Sequence, residues 1–184
     1  WPHRWMWLWD SVFHAIGMRH YNPKLARDFI SSVFDVQTEN GYVPLCACID
    51  HIYPIRTQPP VLGLGMKLVN EVDPNPEWIA TLAPKLEKYL EWLMANRDTD
   101  GAGLLEWAVE VNENCRSGES GMDNSPRFDT ESDLYAIDLS CYMANEARYM
   151  KKIAEVLSDK ENAELFEGWY KKIKEDINNI LWCE

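Results

Sequence analysis

The residues best suited to chemistry lie in one stretch, Ser117-Gly118-Glu119-Ser120-Gly121-Met122-Asp123-Asn124-Ser125-Pro126-Arg127-Phe128-Asp129. Its three carboxylates sit among Gly, Ser, Asn and Pro, which favour turns over helix. A loop of charged and amide side chains between rigid helices is a usual place for catalysis, and carboxylates there are suited to proton transfer. The same composition also fits an ordinary surface loop. Near the start, Arg4 and Asp10 stand in an apolar run with Trp9, where a charge needs either a partner or a task. Pairing within the interior would satisfy that need without any function. Cys46-Ala47-Cys48 with His51 could suggest a metal cluster, but the spacing matches none of the usual zinc patterns. Asp98-Thr99-Asp100-Gly101 opens like a calcium loop and then fails, because Ala102 and Val109 occupy positions that need oxygen ligands. A polar turn is the reading there, and no metal is expected.

Composition narrows the partners. The chain has 184 residues, enough for one domain with a substantial core, with 46% hydrophobic and 26% charged residues. The net charge of −12 argues against nucleic acid and against an anionic membrane, both of which call for clustered Lys and Arg. No apolar run reaches the roughly 20 residues of a membrane span. The five cysteines are odd in number and scattered, which points to reduced thiols and a cytoplasmic setting. Nine Trp and eight Tyr are unusual, and Trp1, Trp5, Trp7 and Trp9 crowd the start. Aromatic faces bury large areas and can also stack on the C–H faces of sugars. The chain begins with Trp instead of Met, so a segment of a longer protein is expected.

The elements that must position these groups are helices. Apolar spacing predicts a first helix from Pro2 or His3 to about Arg19, enclosed on nearly all sides over its first two turns. Asn22-Pro23 starts a second helix that stops before Gly41, and an irregular stretch follows through Pro54. Gln58-Pro59-Pro60 begins a third helix, where Gly63 and Gly65 permit close contacts. The fourth starts at Asp73-Pro74-Asn75-Pro76, with Pro84 predicting a kink or break near Thr81. From Leu104 to Asp129 the chain reads as loop with a short strand at about 105–111. A fifth helix is predicted from about Ser132 to Leu157 and a sixth from about Lys160 to Leu181.

Helices one, three and five are apolar on several sides, whereas two, four and six are amphipathic. Three hairpins, each pairing an enclosed helix with an outer one, predict an all-α, two-layer α/α toroid. Its six helices would make about half of a closed barrel, in a single domain over residues 1–184. The long loops, 42–57 and 104–131, precede inner helices and should open on the same end.

Several segments together resemble a known group, in the expected order. Trp9-Asp10-Ser11 with Phe13, Asn22-Pro23, Gln37 with Gly41-Tyr42-Val43-Pro44, and Gln58-Pro59-Pro60 come first. Asn96-Arg97-Asp98, then Glu119-Ser120-Gly121-Met122-Asp123-Asn124-Ser125-Pro126-Arg127, and Asp138-Leu139 complete the series. The pattern is similar to the α/α-barrel glycosidases, above all glycoside hydrolase family 63 and the mannosylglycerate-hydrolase-like proteins, with family 37 trehalases as cousins. The likeness covers nearly all of the chain.

The resemblance implies an inverting glycoside hydrolase acting on an α-glucoside or α-mannoside, with no cofactor. It makes Asp123 the general acid, and has Trp9, Asp10 and Gln58 line the sugar subsite. Arg4 resembles a subsite arginine and Arg127 a supporting one, while Glu119 is either catalytic support or structural. Such an acid needs burial beside aromatic walls to stay protonated. The family's general base is a Glu far downstream that nothing here matches, so the remaining half of the barrel is the expected partner. Inversion needs two carboxylates about 6.5–9.5 Å apart. A non-catalytic carbohydrate-binding relative and a purely helical interaction scaffold are the alternatives.

Overall fold

The computed structural model describes residues 4–53, 56–109, 118–123, 125–129 and 134–182. Six α-helices dominate them: α1 Leu8–Met18, α2 Pro23–Asp35, α3 Leu62–Val72, α4 Pro76–Arg97, α5 Ile137–Val156 and α6 Lys160–Asp176. The inner helices pack in series, α1 on α3 and α3 on α5. Each of α2 and α4 covers its own hairpin partner and the next inner helix, and α6 packs along α5. This is the two-layer α/α arrangement expected from the alternation of enclosed and amphipathic helices. No described helix is long and apolar enough to cross a membrane.

The outer helices start where their own sequence says. Asn22 accepts the Leu25 N–H at 3.0 Å, Asn75 the Trp78 N–H at 2.9 Å and Asp159 the Asn162 N–H at 3.1 Å. Proline follows each asparagine at the first helical position, where its missing N–H costs nothing. On α4, Ile79, Leu82, Leu86, Leu90 and Leu93 follow the helical repeat and are all buried. Each such side chain contributes roughly 1.5–3 kcal/mol on leaving water. Pro84 does not break α4, which runs unbroken through it. Pro84 and Ala80 both face solvent, so the carbonyl that loses its helical donor is open to water.

The inner helices depart from the sequence reading. The first helix begins at Leu8, not at Pro2 or His3, because Met6–Trp7 are taken up as a strand (β1). The supposedly irregular stretch supplies its partners, β2 (Cys46–Cys48) and β3 (His51–Ile52). The sheet is antiparallel in the order β1-β2-β3, with Met6 opposite Ala47 and Cys48 opposite His51. The third helix begins at Leu62, four residues after Gln58. The fifth begins at Ile137, and the earlier part of its expected range, 132–133, lies outside the described residues. After α6 the chain widens into a π turn, Ile177–Leu181, instead of continuing as α-helix. The strand expected at 105–111 reduces to one bridge, Glu106 to Tyr135, with 110–111 outside the described residues.

Gly65 shows why α3 tolerates a poor helix former. A Cβ there would lie 2.6 Å from Val12 Cγ1 and 3.1 Å from Ile30 Cδ1, so only glycine lets α3 sit this close to α1 and α2.

Candidate active site

Described parts of both long loops meet the start of α1 around an open cavity of about 460 Å³. Trp9 and Asp10 reach it from the first turn of α1, Gln58 from the segment before α3, and Asp123 from the Gly/Ser loop. Four of the residues singled out by sequence therefore converge from three separate segments. Arg4 is exposed and does not line the cavity. Arg127 does not line it either. Its guanidinium donates to Asp138 Oδ2 at 2.7 Å and lies over the Phe128 ring, 4.6 Å from the centroid. Asp138 in turn accepts the Trp107 indole N–H at 3.0 Å, so Arg127 braces the buried layer behind the loop.

The start of α1 is built by tertiary contacts. A helix leaves its first N–H groups without internal acceptors. Here Leu8 N donates to the Leu45 carbonyl at 3.1 Å and Trp9 N to Gln58 Oε1 at 3.1 Å. No side chain at Trp7 caps the helix, which explains why local sequence misplaced its start. One hydrogen bond thus fixes both a helix terminus and the orientation of a cavity amide.

The Gly/Ser loop is anchored by Glu119, which is 0% exposed. Its carboxylate takes two charge-assisted bonds from Arg97, at 2.6 and 2.7 Å, and backbone N–H bonds from Thr57 at 3.0 Å and Ala108 at 3.1 Å. One carboxylate therefore joins the end of α4, the residue before Gln58, the 104–109 segment and the loop that carries Asp123. Glu119 is not itself a wall residue: it is enclosed behind the cavity and ties the loop to its neighbours. Tyr89 secures the same segment, its hydroxyl 2.6 Å from Thr57 Oγ1 and donating to the Gln58 carbonyl at 3.3 Å. Burial pushes the Tyr89 phenol well above its ordinary range, so it keeps its proton for these bonds.

Two residues further along the loop, Gly121 has φ +72° and lies against the Trp9 ring. The contact leaves no room for a Cβ, which would fall 2.5 Å from Trp9 Cη2. Trp9 and the loop are thereby in close contact, two residues before Asp123. Asp123 and Asp10 are both exposed. The burial expected for Asp123 is not met among the described residues, because Glu119 takes the inward position of the loop.

Sequence reading missed five wall residues: Trp7, Leu45, Cys46, Tyr53 and Arg56. Trp7 and Cys46 are strand partners, and the Tyr53 N–H donates to the Cys46 carbonyl at 3.0 Å. The Tyr42 hydroxyl lies 2.7 Å from the carbonyls of both Tyr53 and Arg56, holding that side of the wall. Burial pushes the Cys46 thiol up to about 11, and the neighbouring Cys48 adds to the shift, so Cys46 is a neutral wall group. The available signal was the alternate placing of Cys46 and Cys48, and of His51 and Tyr53. It was too short to stand out as a strand.

The cavity thus offers two carboxylates, aromatic faces, an amide and a guanidinium, which is a set suited to hydroxyl-rich ligands and to proton transfer. Among the described residues no group of three or more His, Cys, Asp or Glu is arranged to hold a metal ion. Cys48 donates to Asp50 Oδ1 at 3.2 Å, and His51 packs against Trp5.

Comparison with known proteins agrees with this picture. Residues 3–184 match the mannosylglycerate hydrolase MGH1-like glycoside hydrolase domain. A mannosylglycerate hydrolase of Thermus thermophilus is 31% identical over 147 residues, covering 67% of this chain and 34% of that protein. The crystal structure of a family 63 mannosylglycerate hydrolase from the same species, with Tris and D-glycerate, superposes with a TM-score of 0.83 at 20% identity, over 98% of this chain and 59% of that one. That enzyme with glucose gives 0.80 at 20% identity, over 95% and 58%. The chain spans about a third of the length of the curated relative and a little over half of those solved chains. With the family matched from residue 3 to residue 184 and the α/α layers shared, the chain belongs to the mannosylglycerate hydrolase MGH1-like glycoside hydrolase domain family.

Proposed function

We propose that the protein containing this chain hydrolyses an α-glucosidic or α-mannosidic bond with inversion, and that Asp123 is its general acid. The observation that carries the reading is the convergence of Trp9, Asp10, Gln58 and Asp123 in one cavity from three segments far apart in sequence. In this reading Trp9 stacks on the C–H face of a pyranose, and Asp10 and Gln58 bond its hydroxyls. Asp123 gives its proton to the glycosidic oxygen as the bond from that oxygen to the anomeric carbon breaks. Water adds to the opposite face of the sugar and loses its proton to a second carboxylate, which the proposal places outside the described residues. The relatives' complexes with glucose and with D-glycerate favour a small carbohydrate ligand. Arg127 serves this site from behind, through Asp138.

The test is Asp123→Asn in the full-length protein. The substitution is expected to lower kcat by about 10²–10⁴-fold while leaving sugar affinity within a few-fold. Wild-type turnover by Asp123→Asn would remove the general-acid assignment. Retained sugar affinity without turnover of any α-glycoside by the wild type would point instead to a binding relative. The anomer first released, followed by NMR, reports inversion or retention directly.

A further inference from the structure

Glu146 is a buried carboxylate that the proposed chemistry does not use. It stands on α5, 1% exposed, and accepts the Gly63 N–H at 2.6 Å and the Leu64 N–H at 3.0 Å. These are among the first N–H groups of α3, and Val61, the residue before that helix, has no side chain that caps it. A Ser or Asp at that position would meet such a donor locally. A carboxylate 82 and 83 residues away does what a local cap cannot, because it fixes the start of α3 against a second helix. The fold makes room for it. A Cβ on Gly63 would lie 2.9 Å from Glu146 Oε2 and 3.2 Å from Tyr149 Cβ, so glycine there gives the carboxylate its place.

The held end of α3 leads straight to the cavity. Between Gln58 and Gly63 stand Pro59, Pro60, Val61 and Leu62. Each proline locks its own φ and restricts the residue before it, so Gln58 and Pro59 are both confined to extended geometry. Residues 56–63 are all buried, and the link cannot bow out into solvent. A shift of the α3 start is therefore passed on to Gln58 instead of being absorbed on the way. At the other end of the link, Glu119 accepts the Thr57 N–H and the Tyr89 hydroxyl donates to the Gln58 carbonyl. Buried side chains of the Gly/Ser loop, α4 and α5 thus grip one short segment. With Gln58 Oε1 accepting the Trp9 N–H, a sugar hydroxyl would meet the Nε2 donors of the same amide.

We propose that Glu146 is a positioning residue for the sugar site: by holding the start of α3 against α5, it sets, through Pro59 and Pro60, where the Gln58 amide stands in the cavity. Glu146 touches no substrate and acts through Gln58 alone. The proposal rests on the glycosidase reading and goes beyond it by naming the group that places its sugar-binding amide.

The experiment measures kcat and KM of the full-length protein on mannosylglycerate and glucosylglycerate, with the Kd of glucose and of mannose by calorimetry. Glu146→Gln is expected to raise KM and the sugar Kd about three- to tenfold while kcat stays within about twofold, the mark of lost uniform binding. Gly63→Ala pushes on the Glu146 carboxylate from the α3 side and should act in the same direction, so it serves as the test variant if Glu146→Gln does not fold. In a Gln58→Leu background either substitution should change KM and Kd by less than about twofold, because the group through which Glu146 acts is gone. A purely structural role gives a different result: fewer folded molecules lower the apparent kcat and leave KM and Kd unchanged. That result, or a KM change that persists in full without Gln58, overturns the positioning role while the glycosidase reading stands. If wild type neither cleaves these glycosides nor binds either sugar, the glycosidase reading falls and takes the proposal with it.

Discussion

Gln58 Oε1 accepts the backbone N–H of Trp9 at 3.1 Å, joining two segments 49 residues apart. The bond ends the orphan state of one N–H at the start of α1 and sets the Gln58 amide into the cavity wall. Gln58→Leu keeps similar bulk and removes the acceptor. It is expected to cost about 1–3 kcal/mol in denaturant unfolding, and to weaken sugar binding in calorimetry. A stability change without any change in binding would restrict Gln58 to a structural role.

Glu119 and Arg97 are a buried pair in which neither charge has a solvent alternative. Glu119→Gln leaves Arg97 uncompensated and is expected to cost about 3–5 kcal/mol. Combining it with Arg97→Met should recover a substantial part of that loss, because the isolated charge is then gone. Urea unfolding of the two single variants and the double variant measures the coupling. Strict additivity would show that the pair is not a unit.

Gly121 touches the Trp9 ring with a positive φ, so two penalties meet in one substitution. Gly121→Ala requires both a left-handed alanine and a displaced indole. The expected outcome is destabilisation of about 1–3 kcal/mol with a shift in tryptophan fluorescence. It should also lower activity in the full-length protein, since Asp123 lies two residues on. An unshifted emission spectrum with normal stability would contradict this packing.

Glu146 on α5 is fully enclosed, and its carboxylate accepts the N–H groups of Gly63 at 2.6 Å and Leu64 at 3.0 Å, at the start of α3. Burial raises it from its ordinary 4.5 to about 7, against the lowering effect of the two backbone bonds. The folded state therefore holds this proton more tightly than the unfolded state. Its stabilisation is complete below pH about 4.5, declines as pH rises, and is lost above about 7, an effect of about 3 kcal/mol. Glu146→Gln should remove that decline. Unfolding free energies of both proteins, compared between pH 4.5 and 8, show it as a difference in slope.

The chain's own residues announced the outer helices. Asn22, Asn75 and Asp159 each cap a helix three residues ahead, so a short window of sequence contains the whole interaction. The order of Trp-Asp, Gln-Pro-Pro and the Gly/Ser loop likewise announced Asp123, Trp9, Asp10 and Gln58 as neighbours, and they share one cavity. The inner helices kept their starts hidden. The acceptor for Trp9 N is 49 residues away, and the acceptor for Gly63 N is 83 residues away. No local pattern encodes such partners, which exist only once the layers are packed. The strands at Met6–Trp7 and Cys46–Cys48 were hidden for the same reason, being too short to form without each other. Local capping and periodicity thus determined the helical class, and the likeness in the order of motifs named four residues that share the cavity, with Arg4 and Arg127 falling outside it. Tertiary packing alone decided where α1 and α3 begin, which carboxylate is buried, and which aromatic rings face the cavity.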